Sequence, residues 1–371
     1  MPVELKHKQT GPSSCTGSLC GNPSTECVEQ AAPRLRIGLI NNMSDGALEA
    51  TERQFTALLE SASEGFAIDL SLYSLPGIVR NEFAAHRVSH CYAGAETLRH
   101  SQLDGLIVTG REPLHPNLED EPYWEGFASI LEWARENAVS AIWSCLAAHG
   151  AVLFQDGIRR VPARNKHFGV YPCTSVSDHA LTAGLPQGFA MPHSRWNGLP
   201  AEQLAACGYR VLSQAGDAGV DMFVQERKSL FVFFQGHPEY AANTLLLEYR
   251  RDIWRFLRGE TALYPQVPKG YFDPATAARL MELQRDAEHG RVDLSGREVS
   301  AILDDAGTSG AWQPAASAIY RNWLRHICAQ KEMRRAAQAG LSVKPMAPVP
   351  ELFAISRNAE SRLRGEGTAT A

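Results

Sequence analysis

Apolar and polar positions along this chain fall into short alternating blocks. Residues 35–41, 66–73, 104–110 and 139–143 are runs rich in Leu, Ile, Val and small residues. Runs of that length predict strands, and near-continuous apolar ones predict strands buried on both faces. Between them lie segments with helical spacing. In residues 47–59, Ala47, Ala50, Phe55, Leu58 and Leu59 share one broad face, and residues 123–137 and 146–154 also read as helices. Strands alternating with helices at this spacing predict an α/β fold, a doubly wound and mostly parallel sheet covered on both faces. Residues 75–100 show no clear period. Further strands are predicted at 208–213, 220–225 and 230–234, then helices at 243–258, 274–288 and 313–336.

The flanks differ in composition. Residues 1–34 are polar and rich in Gly, Ser and Pro, the signature of a disordered tail. The pattern predicts a main α/β domain over 35–262, a C-terminal helical extension packed on it over 263–336, and a loose tail over 337–371. The chain has 371 residues with 36 basic and 41 acidic side chains, a formal net charge of −5. Mild acidity gives no support to nucleic-acid or anionic-membrane binding. No apolar run reaches the ~18 residues of a membrane span, and the polar N-terminal stretch has no signal-peptide core, so a cytoplasmic protein is expected. The eight cysteines are too few for a disulfide scaffold at this length. Cys15, Cys20 and Cys27 match no common zinc spacing, and no metal is expected.

Candidate chemistry sits at strand ends, where open α/β sheets bind ligands. Asn42, Gly110 and Cys145 each sit at the C-terminal end of a predicted strand. At Cys145 an apolar strand turns sharply into a helix, the layout of a nucleophile elbow. A thiol at a helix N-terminus is biased toward thiolate, and the Leu146 N–H points where an oxyanion forms. The alternative is a small apolar Cys packed at a strand end. The strand 230–234 runs into Gly236-His237-Pro238-Glu239-Tyr240. It delivers His237 to the same rim, with Glu239 two residues on to orient the imidazole. Cys145, His237 and Glu239 supply a nucleophile, an acid/base and an orienting carboxylate.

That order resembles the triad of class I glutamine amidotransferases, whose fold is of the flavodoxin-like type. More specifically, the chain resembles the homoserine O-acyltransferases of the succinyltransferase type over roughly residues 35–330. The resemblance is carried by Asn41-Asn42-Met43, Thr51-Glu52-Arg53-Gln54, residues 104–110 with Tyr123-Trp124, and Cys145. It continues through Lys166 before residues 168–171, Pro192-His193-Ser194-Arg195, residues 236–240, Thr244-Leu245, residues 248–252 and Asn322-Trp323-Leu324. It implies a ping-pong acyl transfer in methionine biosynthesis. Cys145 takes an acyl group from succinyl-CoA or acetyl-CoA, a co-substrate rather than a bound cofactor, and His237 then activates the hydroxyl of homoserine. It further implies substrate roles for Lys166, Ser194, Glu248 and Arg251, with Arg251 on the acceptor carboxylate and Glu248 on its ammonium. Backbone N–H groups near Leu146 and near Gly110-Arg111 would hold the oxyanion. The small molecules are the expected partners, with a homodimer as the candidate assembly.

Three loops depart from the family pattern. Arg111-Glu112-Pro113 follows Gly110 in place of Gly-Ala-Pro, Ser44-Asp45-Gly46 replaces Pro-Thr-Lys, and residues 78–92 lack the usual Lys/Arg-Asn-Thr. Leu114 falls at the donor-selecting position. A Glu there would repel a succinyl carboxylate, so the uncharged Leu favours succinyl. The acceptor is homoserine or a related hydroxy-amino acid such as serine. A glutamine amidotransferase-like amide hydrolase is the competing reaction, although Ser144-Cys145-Leu146 lacks that class's flanking glycines. A non-catalytic binding protein would not need the triad.

Overall fold

The computed structural model describes residues 3–6, 32–289 and 297–339. In chain order the elements are β1 (Val3–Lys6), β2 (Arg34–Ile40), α1 (Leu48–Ala62), β3 (Ala67–Ser74), α2 (Glu82–Cys91), β4 (Ala93–Gly94), β5 (Gly105–Thr109), α3 (Trp124–Asn137), β6 (Ser140–Ser144) and α4 (Leu146–Asp156). They continue with β7 (Val161–Ser175), β8 (Gly188–Gly198), α5 (Ala201–Ala206), β9 (Arg210–Gln214), β10 (Val220–Glu226), β11 (Leu230–Phe234), α6 (Thr244–Leu257), α7 (Pro274–Glu288), α8 (Arg297–Asp305) and α9 (Gln313–Gln338). The chain separates into two compact units, Met1–Gln330 and Lys331–Ala371. Of the second, the described part is the final stretch of α9 and residue 339.

One sheet runs through the first unit in the order β1-β3-β2-β5-β6-β11-β10-β9-β7-β8, with β4 beside β3. From β1 to β11 every neighbouring pair is parallel, and from β11 to β8 every pair is antiparallel. The chain steps from β2 out to β3, then returns past β2 to β5. That reversal makes a switch point between β2 and β5, next to β6 and β11, where ligands of doubly wound folds bind.

The strands are apolar on both faces because both faces are covered. Ile107, Ile142, Val232 and Phe234 point into one core with Phe55 of α1, Tyr249 of α6, and Trp312 and Trp323 of the C-terminal segment. Leu106, Val108, Trp143 and Phe233 point into the other with Phe127 of α3, Ala148 and Val152 of α4, and Leu204 of α5. The strict alternation of the two sets along each strand is the pleat.

Three features depart from the sequence reading. Val3–Lys6, expected to be disordered, adds a parallel edge strand along β3. The 15-residue β7 and the 11-residue β8 pair antiparallel, and neither was expected. Their Pro162, Pro172 and Pro192, and the exposed charges early in β7, hide the strand pattern. Residues 82–91 form a helix capped by Asn81, whose side chain accepts the Ala84 N–H. The N-terminal cysteines and the tail beyond residue 339 lie outside the described residues.

Candidate active site

The elbow is built by the backbone. Cys145 has φ 51° and ψ −112°, a positive φ shared by no other non-glycine among the described residues. Such a conformation costs on the order of 1–3 kcal/mol and persists only where neighbours impose it. Here the Cys145 N–H donates to Phe234 O at 2.7 Å, and its carbonyl accepts from Ala148 and His149 at 2.9 and 3.3 Å. These bonds pin the corner between β11 and the first turn of α4. Gly110 presses against it. A Cβ at Gly110 would lie 2.5 Å from Leu146 Cβ and 2.8 Å from Leu146 N. The Gly110 N–H is committed to Ser144 O at 3.2 Å, so Gly110 closes the turn rather than donating to an oxyanion.

β11 delivers His237 to the same rim. The Gln235 N–H donates to Asp221 O at 2.7 Å and the His237 N–H to Pro192 O at 2.8 Å, fixing the segment against β10 and β8. The imidazole Nδ1 lies 2.9 Å from Glu239 Oε1, its ring stacks on Tyr240 at 4.2 Å, and it lies within electrostatic range of the Cys145 side chain. Burial alone would weaken its hold on a proton. The facing Cys145 and Glu239 outweigh burial and keep His237 well above its ordinary value. That electrostatics favours the protonated imidazole. Ser144 Oγ also donates to Glu239 Oε1, at 3.4 Å. The structure therefore brings Cys145, His237 and Glu239 together.

Behind this rim lies a buried polar support. His149 Nε2 meets Gln235 Oε1 at 2.9 Å, and burial pushes its pKa down to about 3. Gln235 Oε1 also accepts the Leu199 N–H. Cys173, His193 and Asp221 place possible ligand atoms within 4.8 Å of one another. The proton positions argue against an ion there. Arg195 Nε donates to His193 Nδ1 at 3.3 Å, so the neutral ring carries its proton on Nε2, which faces Asp221 Oδ1 at 3.3 Å. Binding a metal through Nε2 would leave Nδ1–H against the Arg195 N–H. Burial pushes His193 down to about 4 and, reinforced by Asp221, pushes the Cys173 thiol up. Cys173 is thus a protonated core thiol.

The substrate residues implied by the resemblance fall into two groups. Ser194 Oγ donates to Glu248 Oε2 at 2.6 Å, and Tyr240, whose ring lies on His237, donates to Glu248 Oε1 at 2.5 Å. Lys166 Nζ lies 3.2 Å from Asp252 Oδ2 and 4.1 Å from the Phe168 ring centre. Arg251 pairs with Asp252 Oδ1 through Nε at 2.9 Å. Asp252 is the hub of this second group, and the sequence reading gave it no role although it ends the quoted run 248–252.

In the loop after Gly110, the N–H groups of Leu114 and His115 both donate to the buried Glu121 Oε1, at 2.6 and 2.8 Å. That single carboxylate oxygen shapes the loop, and it leaves the Leu114 side chain 62% exposed. The Arg111 guanidinium lies 6.0 Å from the Tyr123 ring centre. Arg160, also missed, reaches Pro116 O at 2.9 Å and lies within electrostatic range of Cys145. A narrow cleft runs beside the elbow between Asn42, Gly110, Tyr123, Trp124 and Leu146. A wider depression by Ser61, Gly65 and Arg321 lies at the opposite, N-terminal rim of the strands, away from the triad.

The model of the homoserine O-succinyltransferase family matches residues 20–334. The chain belongs to that family. It is 45% identical over 300 residues to a homoserine O-succinyltransferase of Rhodopseudomonas palustris, covering 81% of this chain and 90% of that one. The corresponding protein of Methylorubrum extorquens is 43% identical over 296 residues, covering 80% and 88%. Among solved structures, a glutamine amidotransferase from Thermotoga maritima overlaps 81% of this family member and 99% of its own chain, at 11% identity and a TM-score of 0.42. One from Methylobacillus flagellatus overlaps 80% and 95%, at 14% identity and the same score.

Proposed function

We propose that this enzyme transfers a succinyl group from succinyl-CoA to the hydroxyl of L-homoserine through a thioester on Cys145, the first committed step of methionine biosynthesis. The observation that carries the reading is the strained Cys145 facing an imidazole that Glu239 holds 2.9 Å away, in a chain of the homoserine O-succinyltransferase family.

In the first half-reaction the Cys145 thiolate attacks the thioester carbonyl. Negative charge on the carbonyl oxygen is met by the N–H of Leu146 and by the Arg111 side of the facing loop. The C–S bond to CoA breaks, and the His237 imidazolium gives its proton to the departing thiolate. His237 is then neutral. In the second half-reaction it takes the proton of the homoserine hydroxyl as that oxygen attacks the acyl-enzyme, and the Cys145 thiolate leaves. The first half exchanges one thioester for another and the second runs downhill to an oxygen ester, so the task is to position the hydroxyl and exclude water.

The acceptor fits the two groups on α6. Glu248, held by Ser194 and Tyr240, receives the ammonium, and Arg251, turned from Asp252, receives the carboxylate. Lys166 balances the charge of Asp252. On the donor side an uncharged Leu114 with Arg111 and Arg160 nearby suits the succinyl carboxylate. No helix among the described residues is long and apolar enough to cross a membrane, in keeping with small soluble substrates and a cytoplasmic site of action.

The test is to incubate the protein with succinyl-CoA or acetyl-CoA, with and without homoserine or serine, following CoA release and intact mass. Expected are a succinyl adduct absent from Cys145→Ala, and turnover requiring homoserine. Absence of both adduct and CoA release with every short acyl-CoA would falsify the reading. Ammonia release from glutamine would favour the amide hydrolase instead.

A further inference from the structure

Among the described residues, two buried polar atoms near the triad have no hydrogen-bond partner, Glu239 Oε2 and the Tyr320 hydroxyl oxygen. One can only accept and the other can donate. Buried carboxylate oxygens are rarely left unpaired, because the desolvation cost is not offset.

Tyr320 comes from α9, and its ring is fully buried. It stacks on Phe234, centroids 6.2 Å apart and planes at 25°. Phe234 is the residue whose carbonyl pins Cys145, and in the strand register it lies beside Ser144, whose hydroxyl reaches the other oxygen of Glu239. The C-terminal segment is anchored on both sides of Tyr320. Trp312 Nε1 donates to Tyr240 O at 3.0 Å, and Trp323 Nε1 to Ser140 Oγ at 2.8 Å. Burial and then the charge of Glu239 hold the Tyr320 phenol well above its ordinary value, so it keeps its proton and remains a donor. The other polar and titratable groups around Glu239 are His237 and Tyr240 from its own turn, and Ser144 and Cys145 from the elbow.

We propose that Tyr320 is a positioning residue of the triad, its hydroxyl donating to Glu239 Oε2 through one buried water. The C-terminal helix thereby holds the carboxylate whose other oxygen orients His237. Tyr320 touches no substrate. It holds Glu239 in one rotamer, so that the imidazole faces Cys145 in both half-reactions. The inference rests on the Cys145–His237–Glu239 reading given above.

The test compares wild type, Tyr320→Phe, Glu239→Gln and the double variant by steady-state kinetics with succinyl-CoA and homoserine across pH, with Cys145→Ala alongside. Tyr320→Phe is expected to lose roughly ten-fold in kcat while KM for homoserine stays within about two-fold. Its acid limb should move to higher pH, because the carboxylate loses a donor that favours its charged form. In the Glu239→Gln background it should add no further loss. Should Tyr320→Phe melt early, 3-fluorotyrosine at position 320 keeps the shape and strengthens the donor, and should move the acid limb to lower pH. Wild-type kcat and pH profile in Tyr320→Phe, an unmoved limb with fluorotyrosine, or losses that multiply with Glu239→Gln would overturn the proposal. If Cys145→Ala still turns over, the triad reading itself fails. If Cys145→Ala is inactive and Tyr320→Phe behaves as wild type, only the role of Tyr320 fails.

Discussion

At the scale of single residues, the conformation of Cys145 separates stability from activity. Its φ of 51° suits glycine and strains any other side chain. Cys145→Gly and Cys145→Ala should both abolish acyl transfer. Cys145→Gly should nevertheless be the more stable of the two by about 1–2 kcal/mol, read from urea denaturation. Equal stability would show that the corner is not strained. Glu at position 114 would add a negative charge on the loop that Glu121 shapes. Leu114→Glu should lower kcat/KM for succinyl-CoA by about ten-fold relative to acetyl-CoA, and an unchanged ratio removes Leu114 from donor selection.

At the scale of elements, the strand-end corners carry the site. Gly110 ends β5 so close to Leu146 that a single methyl group has no room. Gly110→Ala should cost about 1–3 kcal/mol of stability and depress CoA release by at least about 10²-fold, with the loss in kcat rather than in KM. The elements around Cys145 and His237 were legible in the sequence because strand, corner and helix follow one another within a dozen residues. β7 and β8 were not legible. Their pairing is long-range, Pro interrupts them, and Gly169 is held at φ 139° against the Lys269 backbone, a contact no local pattern records. Lys166 and Ser194 were named by resemblance, but the meeting of Ser194 with Glu248 and of Lys166 with Asp252 depends on how β7 and β8 lie against α6.

At the scale of the whole molecule, the C-terminal helices are part of the core. Trp312, Ile319, Tyr320, Trp323, Leu324 and Ile327 are buried in the same cluster as Ile37 and Phe55. Truncation after residue 310 should therefore yield insoluble or molten protein rather than an active α/β domain, as judged by near-ultraviolet dichroism. The buried histidines set a pH dependence of stability. His149 and His193 are pushed down to about 3 and about 4, so the unfolded chain binds their protons first. Their contribution is complete above roughly pH 6.5 and is lost as pH falls toward 4, by up to about 1.4 kcal/mol per pH unit for each. His237 is raised and has the opposite sign, contributing below its unfolded value and losing that contribution as pH rises through its folded one. The two lowered histidines outweigh the raised one, so the urea midpoint should be higher at pH 7 than at pH 5, and His149→Gln should flatten the slope by about one proton.

What the sequence determined by itself is local. The two-sided apolar strands, the thiol at a strand-to-helix corner and the Gly236–Tyr240 turn with its paired His and Glu each lie within a short window, where side-chain period and backbone preference act directly. What the tertiary structure alone decided is which of these ends meet. The β6–β11 pairing puts Phe234 O on the Cys145 N–H, and packing against β8 brings Ser194 onto Glu248. The C-terminal helix, read from the sequence as an extension, lays the Tyr320 ring on Phe234, whose carbonyl holds the Cys145 corner. Those meetings depend on contacts between segments tens to hundreds of residues apart. Loop closure and shared burial select them, and no local pattern encodes either.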